Sequence, residues 1–142
     1  MAEVSAQARI EAPAERIWAA LTDFSRYGDW NATHTGFPHG GPERLDVAAT
    51  HSENMKLMGF PAEVSWTVEA CEPARLLATR GKGPMGVNLG MRYTLTPDGA
   101  ATTVRIDGQF TGGAVSLMAA KLKESATSAL EESLRRLGAL VD

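Results

Sequence analysis

Two ionisable side chains, His51 and Glu53, stand two residues apart in a stretch that alternates apolar with polar residues from Leu45 to Leu57. In a strand successive side chains point to opposite faces. His51 and Glu53 therefore project from the face that carries Leu45, Val47, Ala49, Met55 and Leu57. An acid and an imidazole on an otherwise apolar wall could orient a guest molecule or exchange protons with it. Burial would raise the pKa of the acid and lower that of the imidazole unless each finds a partner. Tyr93, on the row Val87, Leu89, Met91, Tyr93 and Leu95, adds a hydroxyl that could meet a carbonyl. Plainer readings stand beside these: a β-bulge or a place at the sheet rim would turn His51 and Glu53 to water, and a core tyrosine bonds to a neighbour.

Other chemistries lack their residues. Cys71 is the single cysteine, which leaves no intrachain disulfide and no thiolate metal site. His34, His39 and His51 lack ligand spacing, and His39 sits in the loop His39-Gly40-Gly41-Pro42, so neither a metal nor another cofactor is expected. Gly81-Lys82-Gly83 has neither the spacing nor the following helix of a phosphate loop, and no Gly-x-Ser-x-Gly nucleophile motif occurs. A net charge of −3, from 14 basic and 17 acidic residues of mixed order, offers no footprint for nucleic acid. No apolar run approaches the ~20 residues of a membrane span, and Met1 to Ile10 alternates in place of forming a leader, which makes a cytoplasmic protein the expectation.

The elements that must position these residues are read from periodicity. Val4, Ala6, Ala8 and Ile10 alternate as a half-buried strand. Pro13 suits the first position of a helix to Leu21, and Ser25 could cap a second short helix ending near Trp30. A short strand from Asn31 to Phe37 leaves the facing of His34 undecided. Further strands run from Leu45 to Leu57, Ala62 to Cys71, Arg75 to Arg80, Val87 to Leu95 and Val104 to Phe110, with Pro97-Asp98-Gly99 as a hairpin turn. Ser116 to Val141 closes the chain as one helix about 39 Å long, with Ser116 as its N-cap and Gly138 where its last turn frays. Glu131 to Arg135 and Glu132 to Arg136 are spaced for ion pairs. The inward face of this helix is bulky toward its end, at Leu130, Leu134, Leu137 and Leu140, and small near its start, at Ala119, Ala126 and Ala129. Such a helix could seal one end of a sheet and stand off from the other, although alanine is also simply a good helix former. Residues 1–142 read as one α+β domain, a curved antiparallel sheet of seven strands around this helix, with two short helices between strands 1 and 2.

Ile10-Glu11-Ala12-Pro13 with Ile17-Trp18, then Asp23-Phe24, Tyr27 and Trp30-Asn31, resembles the START-like (SRPBCC, polyketide cyclase/dehydrase) superfamily. The resemblance covers the whole chain and implies the helix-grip fold, in which the sheet wraps the last helix around a deep apolar cavity. Ala32 departs from the proline that many members carry. A closer likeness, at Trp30 to His34, Val64 to Glu69 and Phe110 to Arg136, is to a bacterial subfamily described as the toxin half of type II toxin–antitoxin pairs.

The expected function is binding of a small hydrophobic molecule (a lipid, polyketide or aromatic compound) between the sheet and the last helix, in a toxin–antitoxin or regulatory setting. Trp30, His34, Met55, Trp66, Met91, Phe110, Met118, Leu122 and Ala126 would line the site beside His51, Glu53 and Tyr93. Two alternatives stay open. One is a cyclase or dehydratase using His51, Glu53 or Tyr93 for proton transfer; the other is a module that binds an antitoxin. Either a monomer or a homodimer is compatible with the sequence.

Overall fold

The computed structural model describes residues 2–113 and 115–141, apart from the side chain of Leu57. Strand β1 (Ala2–Ile10) leads into helix α1 (Ala14–Leu21) and a 3-10 turn (Phe24–Asp29). Strands β2 (His34–Gly36), β3 (Thr50–Leu57), β4 (Phe60–Glu72), β5 (Leu76–Lys82), β6 (Asn88–Asp98) and β7 (Ala101–Thr111) follow, and helix α2 (Val115–Val141) ends the chain. All strand pairs are antiparallel, in the order β1-β7-β6-β5-β4-β3-β2, and the sheet curls into a half-barrel. Helix α2 has 27 residues, about 40 Å, and lies along the open side of that curl. This is the helix-grip architecture that the sequence implies.

Two apolar cores lie beneath α2. The C-terminal half of the helix, through Leu134, Leu137 and Val141, packs with Ile17, Leu21, Leu95, Val104 and Ile106. The N-terminal half, through Val115 and Leu122, packs with Val4, Val64, Trp66, Leu89 and Phe110. Met91 and Leu130 touch both cores. The difference between the bulky and the small half of the helix thus becomes a division of the interior.

Several local expectations are corrected. The strand expected from Leu45 begins only at Thr50. Ala48 adopts a left-handed conformation (φ 73°), and its N–H donates to Val68 O at 2.8 Å. That turn breaks the alternation, so Val47 is 64% exposed and does not join the inward row. Leu57 pairs with Phe60 through its backbone, while the inward side chain expected for it lies outside the described residues. Pro13 is the N-cap of α1 and not its first residue. The second short helix has Asp23 in the cap position expected for Ser25. Helix α2 starts at Val115, so Ser116 lies in its first turn, and it continues past Gly138, which packs against Ile10. Arg135 pairs with Glu132 at 2.7 Å in place of Glu131, and Arg136 shares the same carboxylate at 2.8 Å.

Two close approaches require glycine. Gly112 (φ 77°) sits where a Cβ would fall 2.4 Å from Gly86 O, which joins the β5–β6 connection to the start of α2. Gly81 lies opposite Trp66 in the β4–β5 ladder, and a Cβ there would meet Val64 at 2.7 Å and the Trp66 ring at 2.8 Å. Gly81→Ala is therefore expected to lower stability by about 1–3 kcal/mol through overpacking. Gly36→Ala, with no atom within 4 Å of the new methyl, should change it by less than about 0.5 kcal/mol. Urea-denaturation midpoints of the two variants check the contrast.

Candidate functional site

The half-buried His51 and the buried Glu53 point from β3 into the curl of the sheet, so no bulge turns them outward. Glu53 is 4% exposed and accepts on both carboxylate oxygens. Trp66 Nε1–H donates to Oε1 at 2.9 Å, and His34 Nδ1 lies within hydrogen-bond distance of Oε2, at 2.7 Å. The registry explains the arrangement. His51 faces Trp66 across β3 and β4, and His34 faces Met55 across β2 and β3, so Glu53 has one partner on each diagonal. Bare backbone at Gly81 lets the Trp66 ring lie against β5. The rings of Tyr27, at 5.1 Å and perpendicular, and Phe37, at 4.5 Å, hold the His34 imidazole.

A void of about 50 Å³ opens beside Glu53. Its wall includes the expected Trp30, His51, Met55, Trp66, Met91 and Tyr93. A second void of about 60 Å³ is walled by Met55, Met91, Phe110, Leu122 and Ala126. Thr33, Met55, Met91, Ala129 and Leu130 stand between the two and line both. The single deep cavity implied by the resemblance is thus a pair of small chambers divided by side chains. His34 stands behind Glu53 and off both walls. Met118 also leaves the expected lining: it is 39% exposed on the first turns of α2.

Sequence reasoning passed over Tyr27, Asn31 and Ser133. Burial pushes the Tyr93 hydroxyl up to about 12 and the Tyr27 hydroxyl well above its ordinary value. Both are proton donors at neutral pH. Asn31 Oδ1 accepts from the Thr33 N–H at 3.1 Å and its hydroxyl at 3.0 Å. Ser133 Oγ accepts the Ala32 N–H at 2.9 Å, a bond that proline at that position has no proton to make. Spacing could have found Ser133, which follows Ala126 and Ala129 at helical intervals of seven and four.

Two residues that line the first void each have a buried ring nitrogen without a partner among the described residues, Trp30 Nε1 and His51 Nδ1. Burial lowers the His51 pKa, and the nearby Glu53 charge raises it by less, so the ring is held neutral. Among the described residues, no group of three or more His, Cys, Asp or Glu is placed to hold a metal. No helix among them is long and apolar enough to cross a membrane.

Comparison with known proteins gives the same architecture. The chain is 24% identical over 115 residues to a protein named Toxin Rv0910 of Mycobacterium tuberculosis, covering 81% of this chain and 80% of that one. A START superfamily protein from Mycobacterium smegmatis superposes with a TM-score of 0.73 at 19% identity, over 98% of this chain and 96% of that one. DynU16, from the dynemicin biosynthetic locus, superposes with a TM-score of 0.70 at 21% identity over 99% of this chain. It covers 47% of DynU16, so this chain spans about half of that one. All of residues 1–142 match one family model, and with the sheet curled about α2 over a buried polar cluster this chain belongs to the polyketide cyclase / dehydrase and lipid transport family.

Proposed function

We propose that the chain binds a small hydrophobic molecule, a lipid, polyketide or aromatic compound, in the space between the sheet and α2. The observation that carries this reading is the shared wall of the two voids, where Met55, Met91 and Leu130 separate chambers of about 50 and 60 Å³. Neither chamber alone takes an aromatic ring, since about 150 Å³ is the size of a cavity that admits benzene. Methionine has three rotatable bonds and repacks at little cost, so rotation of Met55 and Met91 joins the chambers around a guest. The 24% identity to Toxin Rv0910 supports a toxin–antitoxin or regulatory setting, with an antitoxin protein as a further partner. A second reading, a cyclase or dehydratase, draws on the neutral His51 ring beside the void, which is in the protonation state a general base requires. Tyr93 fits that reading only as a donor.

Native mass spectrometry of freshly purified protein should show a co-purifying apolar compound. Members of a panel of fatty acids and aromatic polyketides should also raise the melting temperature. At a hundred-fold excess over Kd the gain is about 2.7 kcal/mol, or several degrees for a chain of this size. Ala129→Phe, which fills the shared wall, should abolish the shift and leave the circular dichroism spectrum unchanged. No bound compound and no shift with any member of the panel would overturn the reading.

The lowered His51 pKa also sets a pH dependence. Below the unfolded value of 6.5 the unfolded chain takes up a proton that the folded ring resists. The stability contributed by the neutral ring is present above that pH and lost as pH falls through the folded value. Between about pH 7.5 and about pH 5 the wild type should lose more thermal stability than His51→Gln. Equal losses in the two proteins would show that His51 titrates as it does in water.

A further inference from the structure

One end of the sheet holds apolar side chains out in water. Neighbouring strands are antiparallel, so the C-terminal ends of β3, β5 and β7 and the N-terminal ends of β4 and β6 meet there, and α2 starts from the same place. Phe60 is 67% exposed, Met85 89% and Leu117 87%, and the exposed Met118 follows Leu117 on the first turns of α2. Of the large apolar side chains left exposed among the described residues, only Val47 lies elsewhere, ahead of β3 at its other end. The segments are in contact. A Cβ on Gly113 would fall 2.8 Å from Met85 O, and Met58 packs on the same core as Val115 and Leu122. Two of the turns hold a methionine in the left-handed region, Met58 (φ 54°) and Met85 (φ 59°). Glycine would relieve that strain, yet at Met85 the chain keeps a long apolar side chain that lies almost wholly in water.

The charges around this apex are sorted. All four lysines of the chain, Lys56, Lys82, Lys121 and Lys123, stand at this end and are exposed. Lys56 pairs across the ladder with Pro61, next to Phe60. Lys82 precedes the 3-10 turn Pro84–Gly86 by two residues, and Lys121 follows Leu117 by one helical turn. Eight of the ten arginines are in ion pairs, whereas no lysine is, among the described residues. The acids of this end sit farther back. Glu63 is opposite Asn54, Glu124 lies a turn beyond Lys121, and Glu3 shares a surface hollow with Lys123. Lys56, Lys82 and Lys121 therefore form a free cationic collar behind the apolar tips.

That layering matches a surface that is negative at its face and oily beneath. A lysine can lay its four-carbon stem along the apolar layer and keep its ammonium among phosphates. We infer that this end of the molecule docks onto an anionic lipid bilayer, with Phe60, Met85, Leu117 and Met118 entering the interface and Lys56, Lys82 and Lys121 meeting the headgroups. The contact is interfacial, and it stands whether or not the interior voids hold a guest.

Co-sedimentation with vesicles tests this, using phosphatidylcholine alone and an equal mixture of phosphatidylcholine and phosphatidylglycerol. The protein should pellet with the mixed vesicles, far less with the neutral ones, and less as salt is added. Lys56→Gln, Lys82→Gln and Lys121→Gln should each weaken binding to the mixed vesicles about five-fold. Met85→Ser combined with Leu117→Ser should remove most of that binding and leave the circular dichroism spectrum unchanged, because both side chains lie in water. Val47→Ser, at the other end, should leave binding as it was. No pelleting with the mixed vesicles, equal pelleting with both kinds, or pelleting untouched by the Met85 and Leu117 changes would overturn the inference. A concentration-dependent dimer that Leu117→Ser splits, without vesicle binding, would assign the patch to a second copy of the chain and overturn it as well.

Discussion

The interior is organised by one buried carboxylate. Moving a carboxylate out of water costs several kcal/mol, which geometry must return. At Glu53 it is returned by a hydrogen bond to each oxygen, from residues on the two neighbouring strands. The consequence reaches beyond the pair. Strand β2 has only three residues, and its pairing with β3 shifts between His34 and Gly36, so its backbone ladder alone fixes the register weakly. His34, held by Glu53, pins it. Trp66, held by the same group and seated on Gly81, fixes the packing of β4 on β5. One charge therefore ties together β2, β3 and β4 at the edge of the sheet where the void opens.

Helix α2 supplies the opposite side, and its two halves do different work. Leu134, Leu137 and Val141 close a dense core with α1 and the β6–β7 region. From Val115 to Ala126 only Val115 and Leu122 are buried among the described residues of the helix, and the alanines leave space. The voids lie where this thin half meets the dense one. Ser133 marks the junction, and its bond to the Ala32 N–H draws the segment before β2 onto the helix.

Periodicity made most of the fold legible. Alternation in β1, β4, β6 and β7 and the three-and-four spacing of α2 order the elements and put Tyr93 on an inward row, while the facing of His51 and Glu53 on β3 stays open in the sequence and is turned inward in the structure. It failed where a single backbone angle reset the count: the left-handed Ala48 ends the alternation before Thr50 and exposes Val47. At Met118 the inward stripe continues in the sequence, yet the first turns of α2 leave that side chain 39% exposed. The facing of His34 could not be read at all, because it is set by Glu53, 19 positions away, and by the rings of Tyr27 and Phe37. Nor does a sequence reveal which donors go unpaired. Trp30 looks like plain core until its N–H is seen without an acceptor.

The two walls of the void differ in stiffness, and in the proposed binding role the difference has a use. Glu53, Trp66 and His34 are tied by mutual hydrogen bonds, and Tyr93 is buried with its ring edge-on to Trp30. Met55 and Met91 make no such bonds and can repack. A fixed polar side selects for the position and charge of a polar atom, and a soft apolar side accepts a range of shapes. Both come from residue type on the same strands: β3 alternates Glu53 and Met55 two residues apart, and β6 alternates Met91 and Tyr93 in the same way. A sheet of this curvature thus places one rigid and one adaptable side chain from each strand at the same void, and discrimination among guests would follow from the rigid pair.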